Sequence, residues 1–191
     1  MLIIAQPKSA STSLIYTLKA LTGLKIKSMA IDKKGIACPG FTGLQGMHSN
    51  MTLRSDKYIN KIVNSRTTIY REHLLPCEQH KKILMSVKSN VVLLLRNPVH
   101  AYDCYDRAIK EHPEYTHLLS YIEDDLKKFF KYYLSLAVFR KNYLLVTYEN
   151  LIKNYAESME KIFNHLHLAR PSSFGELTKR KYTGVGVARY A

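Results

Sequence analysis

A lysine and a run of hydroxyls stand together near the start of this chain, in Gln6-Pro-Lys-Ser-Ala-Ser-Thr-Ser13. An apolar run, Leu2 to Ala5, precedes them, and Leu14, Ile15, Leu18 and Leu21 follow at helical spacing up to Gly23. The segment therefore reads as strand, turn and helix. Lys8, the hydroxyls of Ser9, Ser11, Thr12 and Ser13, and the unpaired backbone N–H groups of a first helical turn would converge there, which makes an anion site. A Walker A loop needs two glycines and a lysine followed directly by a hydroxyl. This segment has no glycine at all, which disfavours an ordinary nucleoside triphosphatase. A plainer reading has Ser9 or Ser11 capping the helix and Lys8 in solvent.

A second group follows the apolar run Val91 to Leu95: Arg96-Asn-Pro-Val-His-Ala-Tyr-Asp-Cys104. Arg96 falls at a strand's carboxyl end, where a guanidinium can grip a phosphate with two nitrogens, and Pro98 suits the first position of the next helix. Cys104 lies two turns on. A third candidate is His73, in Ile69-Tyr-Arg-Glu-His-Leu-Leu-Pro76, delivered by another strand toward the same sheet edge. Imidazole titrates near neutrality and is suited to taking a hydroxyl proton. Glu72 is the alternative base, and His48 a weaker third.

The elements that must position these groups come from a chain of 191 residues, 46% hydrophobic and 23% charged, which is the make-up of a folded domain rather than a disordered or fibrous chain. We expect one domain over residues 1–191. Val91 to Leu95, without alternation, suits a central parallel strand buried on both faces; Thr67 to Arg71 and Tyr143 to Thr147 read as further strands. Leu118, Ile122, Leu126, Phe129, Tyr133 and Ala137 mark one helical stripe, and Leu151, Tyr155, Met159, Ile162 and Leu166 a second. Strands alternating with helices imply an α/β fold of three layers, α/β/α, around a parallel sheet, with ligands at the strands' carboxyl ends. Residues 28–60, with scattered Gly and Pro and little periodicity, read as an irregular insertion.

Charge is the anomaly. Lys and Arg number 29 against 15 Asp and Glu, a net +14, a field that attracts nucleic acid, phosphate- or sulfate-rich ligands, or anionic membrane. No apolar run approaches the ~20 residues of a membrane span, and Met1 to Ala5 is too short for a signal-peptide core. Three cysteines, Cys38, Cys77 and Cys104, lack both disulfide-framework and zinc-ligand spacing. We expect a reducing, cytoplasmic compartment and no metal.

In order along the chain, these segments resemble the sulfotransferases that use 3′-phosphoadenosine-5′-phosphosulfate (PAPS). Pro7-Lys-Ser-Ala-Ser-Thr-Ser-Leu14 is similar to the family's Pro-Lys-Ser-Gly-Thr-Thr-Trp-Leu loop, which holds the 5′-phosphosulfate. Leu95-Arg-Asn-Pro98 through Cys104 is similar to its Leu-Arg-Asn/Asp-Pro-(x)5-Ser segment, which holds the 3′-phosphate. Ile69 to Pro76 is similar to Lys-Thr-His-Leu-Pro, whose histidine is the general base, and Val146-Thr-Tyr-Glu-Asn-Leu151 to the family's Tyr-Glu-Asp-Leu element. Lys179 to Arg189 is similar to the basic loop that closes over the nucleotide, with Arg180, Lys181 and Arg189 as candidates.

The resemblance implies a P-loop-like sulfotransferase fold and sulfuryl transfer from PAPS to an acceptor hydroxyl or amine, leaving adenosine 3′,5′-bisphosphate (PAP). Lys8 and His73 would be catalytic; Lys8, Ser9, Ala10, Ser11, Thr12, Ser13, Arg96, Cys104 and the C-terminal basic residues would hold the donor. Two departures stand out. Ala10 replaces a glycine, which is acceptable with φ below zero or a slightly altered loop. Cys104 replaces a serine, and a thiol is the weaker donor. Other readings are a nucleotide-binding pseudoenzyme, a small kinase-like protein using ATP and magnesium, and a basic nucleic-acid-binding protein with stacking tyrosines. The acceptor, a small molecule or an anionic glycan, is not encoded in a legible motif; residues 28–66 and 105–120 follow the donor-bearing strands and would shape its pocket.

Overall fold

The computed structural model describes residues 1–27, 30–31, 52–53, 65–74, 81, 84–111, 113, 116 and 119–178. Its main sheet joins β1 (Leu2–Ala5), β2 (Lys25–Lys27), β5 (Thr68–Glu72), β6 (Val91–Leu95) and β7 (Tyr143–Thr147) in the order β2-β5-β1-β6-β7. All four pairings are parallel. A separate antiparallel pair, β3 (Ala30–Ile31) and β4 (Thr52–Leu53), falls within the stretch expected to be irregular. The helices are α1 (Ser11–Thr22), α2 (Pro98–Lys110), α3 (Leu119–Phe139), α4 (Tyr148–Lys153) and α5 (Tyr155–His165).

The sheet is apolar on both faces because β1 and β6 carry no polar residue to spare for either. Leu2 and Ile4 of β1 and Val91, Leu93 and Leu95 of β6 meet Ala101, Tyr105 and Ile109 of α2 and the α3 stripe Ile122, Leu126, Phe129 and Tyr133. Ile3, Ala5, Val92 and Leu94, one residue out of phase, meet Leu14, Ile15 and Leu18 of α1 and Met159, Ile162 and Phe163 of α5. Three α/β/α layers result, as the alternation of strands and helices implies.

Two elements differ from expectation. The second stripe is not one helix: Asn154, at φ −123° and ψ 55°, ends α4 and begins α5. A lysine-flanked three-residue edge strand, β2, leaves no hydrophobic run to read, since edge strands are short and charged. Among the described residues no helix is long and apolar enough to cross a membrane.

Parallel pairing brings the carboxyl ends of β1, β5 and β6 to one edge, so Gln6, His73 and Arg96 leave the sheet side by side. The far layer fixes that edge: the buried Tyr133 hydroxyl of α3 donates to the Leu74 carbonyl at 2.7 Å, immediately after His73. Tyr133→Phe should leave that buried carbonyl unpaired and cost about 1–3 kcal/mol. The effect should appear in urea denaturation as a lower midpoint at unchanged slope.

Candidate active site

The chain leaves β1 through a turn that no run of ordinary backbone could make. Lys8 and Ala10 both adopt left-handed conformations, at φ 63° and 62°. Ala10 thus departs from the expected negative φ, and each such L-residue costs roughly 1–2 kcal/mol. The bonds that hold the turn are local and buried. Ser9 sends both its N–H, at 3.2 Å, and its hydroxyl, at 2.6 Å, to the Gln6 carbonyl. The Ser9 hydroxyl is therefore committed to the turn and does not cap α1.

Ala10, at the N-cap, has no side chain to cap α1, and no other cap is made among the described residues. The first helical bond runs from the Leu14 N–H to the Ala10 carbonyl, leaving the N–H groups of Ser11, Thr12 and Ser13 without intrahelical acceptors. The simple capping reading fails on this point. What stands here is an uncapped helix N-terminus behind a strained turn, the arrangement in which backbone donors converge on an anion.

Cations gather around it. Arg71 of β5 donates through Nη1 to the Thr12 hydroxyl at 3.1 Å and the Ser11 hydroxyl at 3.4 Å. Strand alternation puts Arg71 on the α1 side of the sheet, and Glu72, 3% exposed, on the α2 side. Lys8 is half-buried with its Nζ 4.8 Å from the Tyr105 ring centroid. Burial pushes its pKa below the ordinary lysine value, with Cys104 acting in the opposite direction.

Arg96 does two things at once. Its backbone N–H donates to Gln6 Oε1 at 3.1 Å, and its Nη1 donates to the Lys8 carbonyl at 2.9 Å, so it braces the turn. The same Nη1 lies 3.2 Å from Cys104 Sγ, and the guanidinium stacks 4.1 Å from the Tyr148 ring centroid. Among the described residues Arg96 Nε and Gln6 Nε2 find no hydrogen-bond partner, though both are buried. Two orphaned donors beside an uncapped helix end fit an acceptor-rich, anionic group.

His73 completes the set. Its Nδ1 lies 2.5 Å from the Ala5 carbonyl; a carbonyl only accepts, so Nδ1 carries the proton and Nε2 keeps its lone pair. Burial, then the Arg71 charge, then Lys8 hold its pKa down at about 3, while the Ala5 bond pulls the other way. The expectation of titration near neutrality is corrected: as the chain stands, His73 is neutral throughout the physiological range.

The structure thus brings together Lys8, Ser9, Ala10, Ser11, Thr12, Ser13, His73, Arg96 and Cys104. Arg180, Lys181 and Arg189, with His48, lie outside the described residues. Sequence reasoning missed Arg71, Gln6 and Tyr148. The available signal for Arg71 was its place at the carboxyl end of the strand that delivers His73. Gln6 and Tyr148 carried no such signal, because their roles depend on where Arg96 goes.

No protein-family model matches the sequence, and no curated protein matches it. Solved structures do. The sulfotransferase domain of the Synechococcus PCC 7002 olefin synthase superposes with a TM-score of 0.62 at 16% identity, over 94% of this chain and 77% of that one. Mouse sulfotransferase SULT7A1, complexed with PAP, gives 0.58 at 14% identity over 91% of this chain, which spans 60% of the mouse enzyme's length. A sulfotransferase from Alicyclobacillus acidocaldarius gives 0.53 at 15% identity, over 93% of this chain and 85% of that one. The chain has the sulfotransferase fold.

Two outcomes follow for stability. Ala10→Gly should relieve the left-handed turn and raise stability by about 1 kcal/mol, less any gain in unfolded-state entropy, read as a higher urea midpoint. Because the His73 pKa is lower in the folded than in the unfolded chain, the unfolded chain binds the extra proton. Stability from this group is fully present above pH 6.5 and is lost as pH falls toward about 3, at up to about 1.4 kcal/mol per unit. His73→Asn should flatten the decline between pH 7 and 5 in paired denaturation curves.

Proposed function

We propose that the chain is a sulfotransferase that moves a sulfuryl group from PAPS to an acceptor hydroxyl or amine. The observation that carries this reading is the meeting of an uncapped helix N-terminus, three cations and a neutral imidazole at the carboxyl ends of β1, β5 and β6. Arg96 Nε and Gln6 Nε2, buried and without partners among the described residues, support it, since buried donors are ordinarily satisfied.

The chain's residues divide the work. The N–H groups of Ser11, Thr12 and Ser13, the hydroxyls of Ser11 and Thr12, and Arg71 hold the phosphosulfate. Lys8, which leads into the same turn, would stabilise the negative charge that grows on the bridging oxygen as the sulfur–oxygen bond breaks. Arg96, with Cys104 in the place of a serine, takes the 3′-phosphate. The acceptor oxygen attacks sulfur in line and loses its proton to Nε2 of His73, while PAP leaves with the bond's electron pair.

The low pKa of His73 has a place in this scheme. Two of the influences that depress it, Arg71 and Lys8, are the charges an anionic donor neutralises. Donor binding would therefore raise the basicity of His73 at the stage when a base is needed. His73 is favoured over Glu72 because its Ala5 bond fixes the tautomer with Nε2 free, whereas Glu72 points into the opposite face. The acceptor would be a small molecule or glycan, and the surplus of positive charge suits an anionic one.

Turnover with labelled PAPS tests the assignment. Lys8→Ala should abolish it, and His73→Ala should reduce it about 10²- to 10⁴-fold while leaving PAP affinity in place. Full activity of either purified variant would remove that residue from the mechanism. The acid limb of kcat/KM, which reports the free enzyme, should lie well below pH 6.5.

A further inference from the structure

Two arginines reach the Cys104 thiol from different elements. Arg96 reaches it from the end of β6 with Nη1 at 3.2 Å. Arg107, three residues after Cys104 and so on the same side of α2, folds back to place Nη2 at 3.5 Å from the same sulfur. Lys8 also feels Cys104 electrostatically. Two guanidinium groups therefore point at one atom, and a thiol is too weak an acceptor to satisfy either.

Among the described residues neither Arg96 nor Arg107 forms an ion pair. Asp106, the nearest acid along α2, is held by Lys110 at 2.7 Å. Arg107 contacts Asp103 only through the backbone carbonyl, Nε to oxygen at 3.3 Å. Arg107 is exposed, yet its fork turns inward over the sulfur instead of outward into water, where side-chain entropy would favour it. Arg96 meanwhile keeps a buried Nε without a partner. Converging, uncompensated guanidinium groups fit a dianion with several acceptor oxygens, which is a phosphate monoester.

We propose that Arg107 is a second guanidinium for the phosphate taken by Arg96, and that it sets the preference for nucleotides carrying that phosphate. The proposal rests on the reading of the chain as a PAPS-dependent sulfotransferase, in which this group is the donor's 3′-phosphate. Arg107 then supplies from one turn further along α2 the grip that a thiol at position 104 does not. It has no part in the sulfuryl transfer itself, and its effect falls on donor affinity.

Calorimetric titration of PAP and adenosine 5′-phosphate, which differ only by the 3′-phosphate, tests this. The wild-type chain should bind PAP more tightly. Arg107→Gln should weaken PAP about tenfold, the loss of a charge-assisted contact, and leave adenosine 5′-phosphate within about twofold. Arg107→Glu should weaken PAP further, and Arg107→Lys, which keeps charge without the fork, should fall between wild type and Arg107→Gln. Unchanged PAP affinity, or equal losses for both nucleotides, in a chain whose wild type still prefers PAP would overturn the role of Arg107 and leave the sulfotransferase reading standing. A wild-type chain with no preference for PAP would overturn both.

Discussion

Everything at the sheet's carboxyl edge depends on the turn from Gln6 to Ala10. β1 is hydrogen-bonded to β5 on one side and β6 on the other, so the direction in which the chain emerges is fixed. α1 must then begin almost at once, packed on the face that carries Ile3 and Ala5. The backbone makes that connection left-handed at Lys8 and again at Ala10, and the first N–H groups of α1 stay without intrahelical acceptors. Two strained residues together cost a few kcal/mol. The Arg96 bond to the Lys8 carbonyl and the two Ser9 bonds to the Gln6 carbonyl offset part of it. Binding geometry and strain are thus one feature of the fold.

The sequence made the central architecture readable because buried parallel strands advertise themselves. Val91–Leu95 and Tyr143–Thr147 are bounded as their apolar runs suggest, and Gly23, at φ 69°, ends α1 where periodicity stops. Lys25–Lys27 and the break at Asn154 were not readable. The first is an edge strand with nothing to bury, and the second interrupts a stripe whose spacing continues across it. At the site the residue types and their chain order were legible: Lys8, His73 and Arg96 do stand together. Their electrostatics were not, since the displacement of His73 from ordinary histidine behaviour comes from burial and from two cations on other elements.

The net charge of +14 acquires a geography. Lys8, Arg71 and Arg96 line the edge where β1, β5 and β6 end, with Arg107 one helix turn beyond Cys104. Elsewhere, lysines pair along helices at i,i+4 spacing, as Lys127 does with Glu123 and Lys161 with Glu157. Such exposed pairs contribute a few tenths of a kcal/mol each. They neutralise charge locally along those helices.

The position of β1 at the centre of the sheet also governs the order in which the molecule can assemble. Leu2 pairs with Val91, and the Lys8 carbonyl waits for an arginine 88 residues downstream. During synthesis the first strand therefore leaves the ribosome long before either neighbour exists, and parallel pairing over such separations is slow. α1 can form early from local contacts, but the turn before it has no brace until Arg96 arrives. The turn thus precedes its brace by most of a hundred residues and is completed late, so the apolar β1 must wait for its partners while the chain is still incomplete.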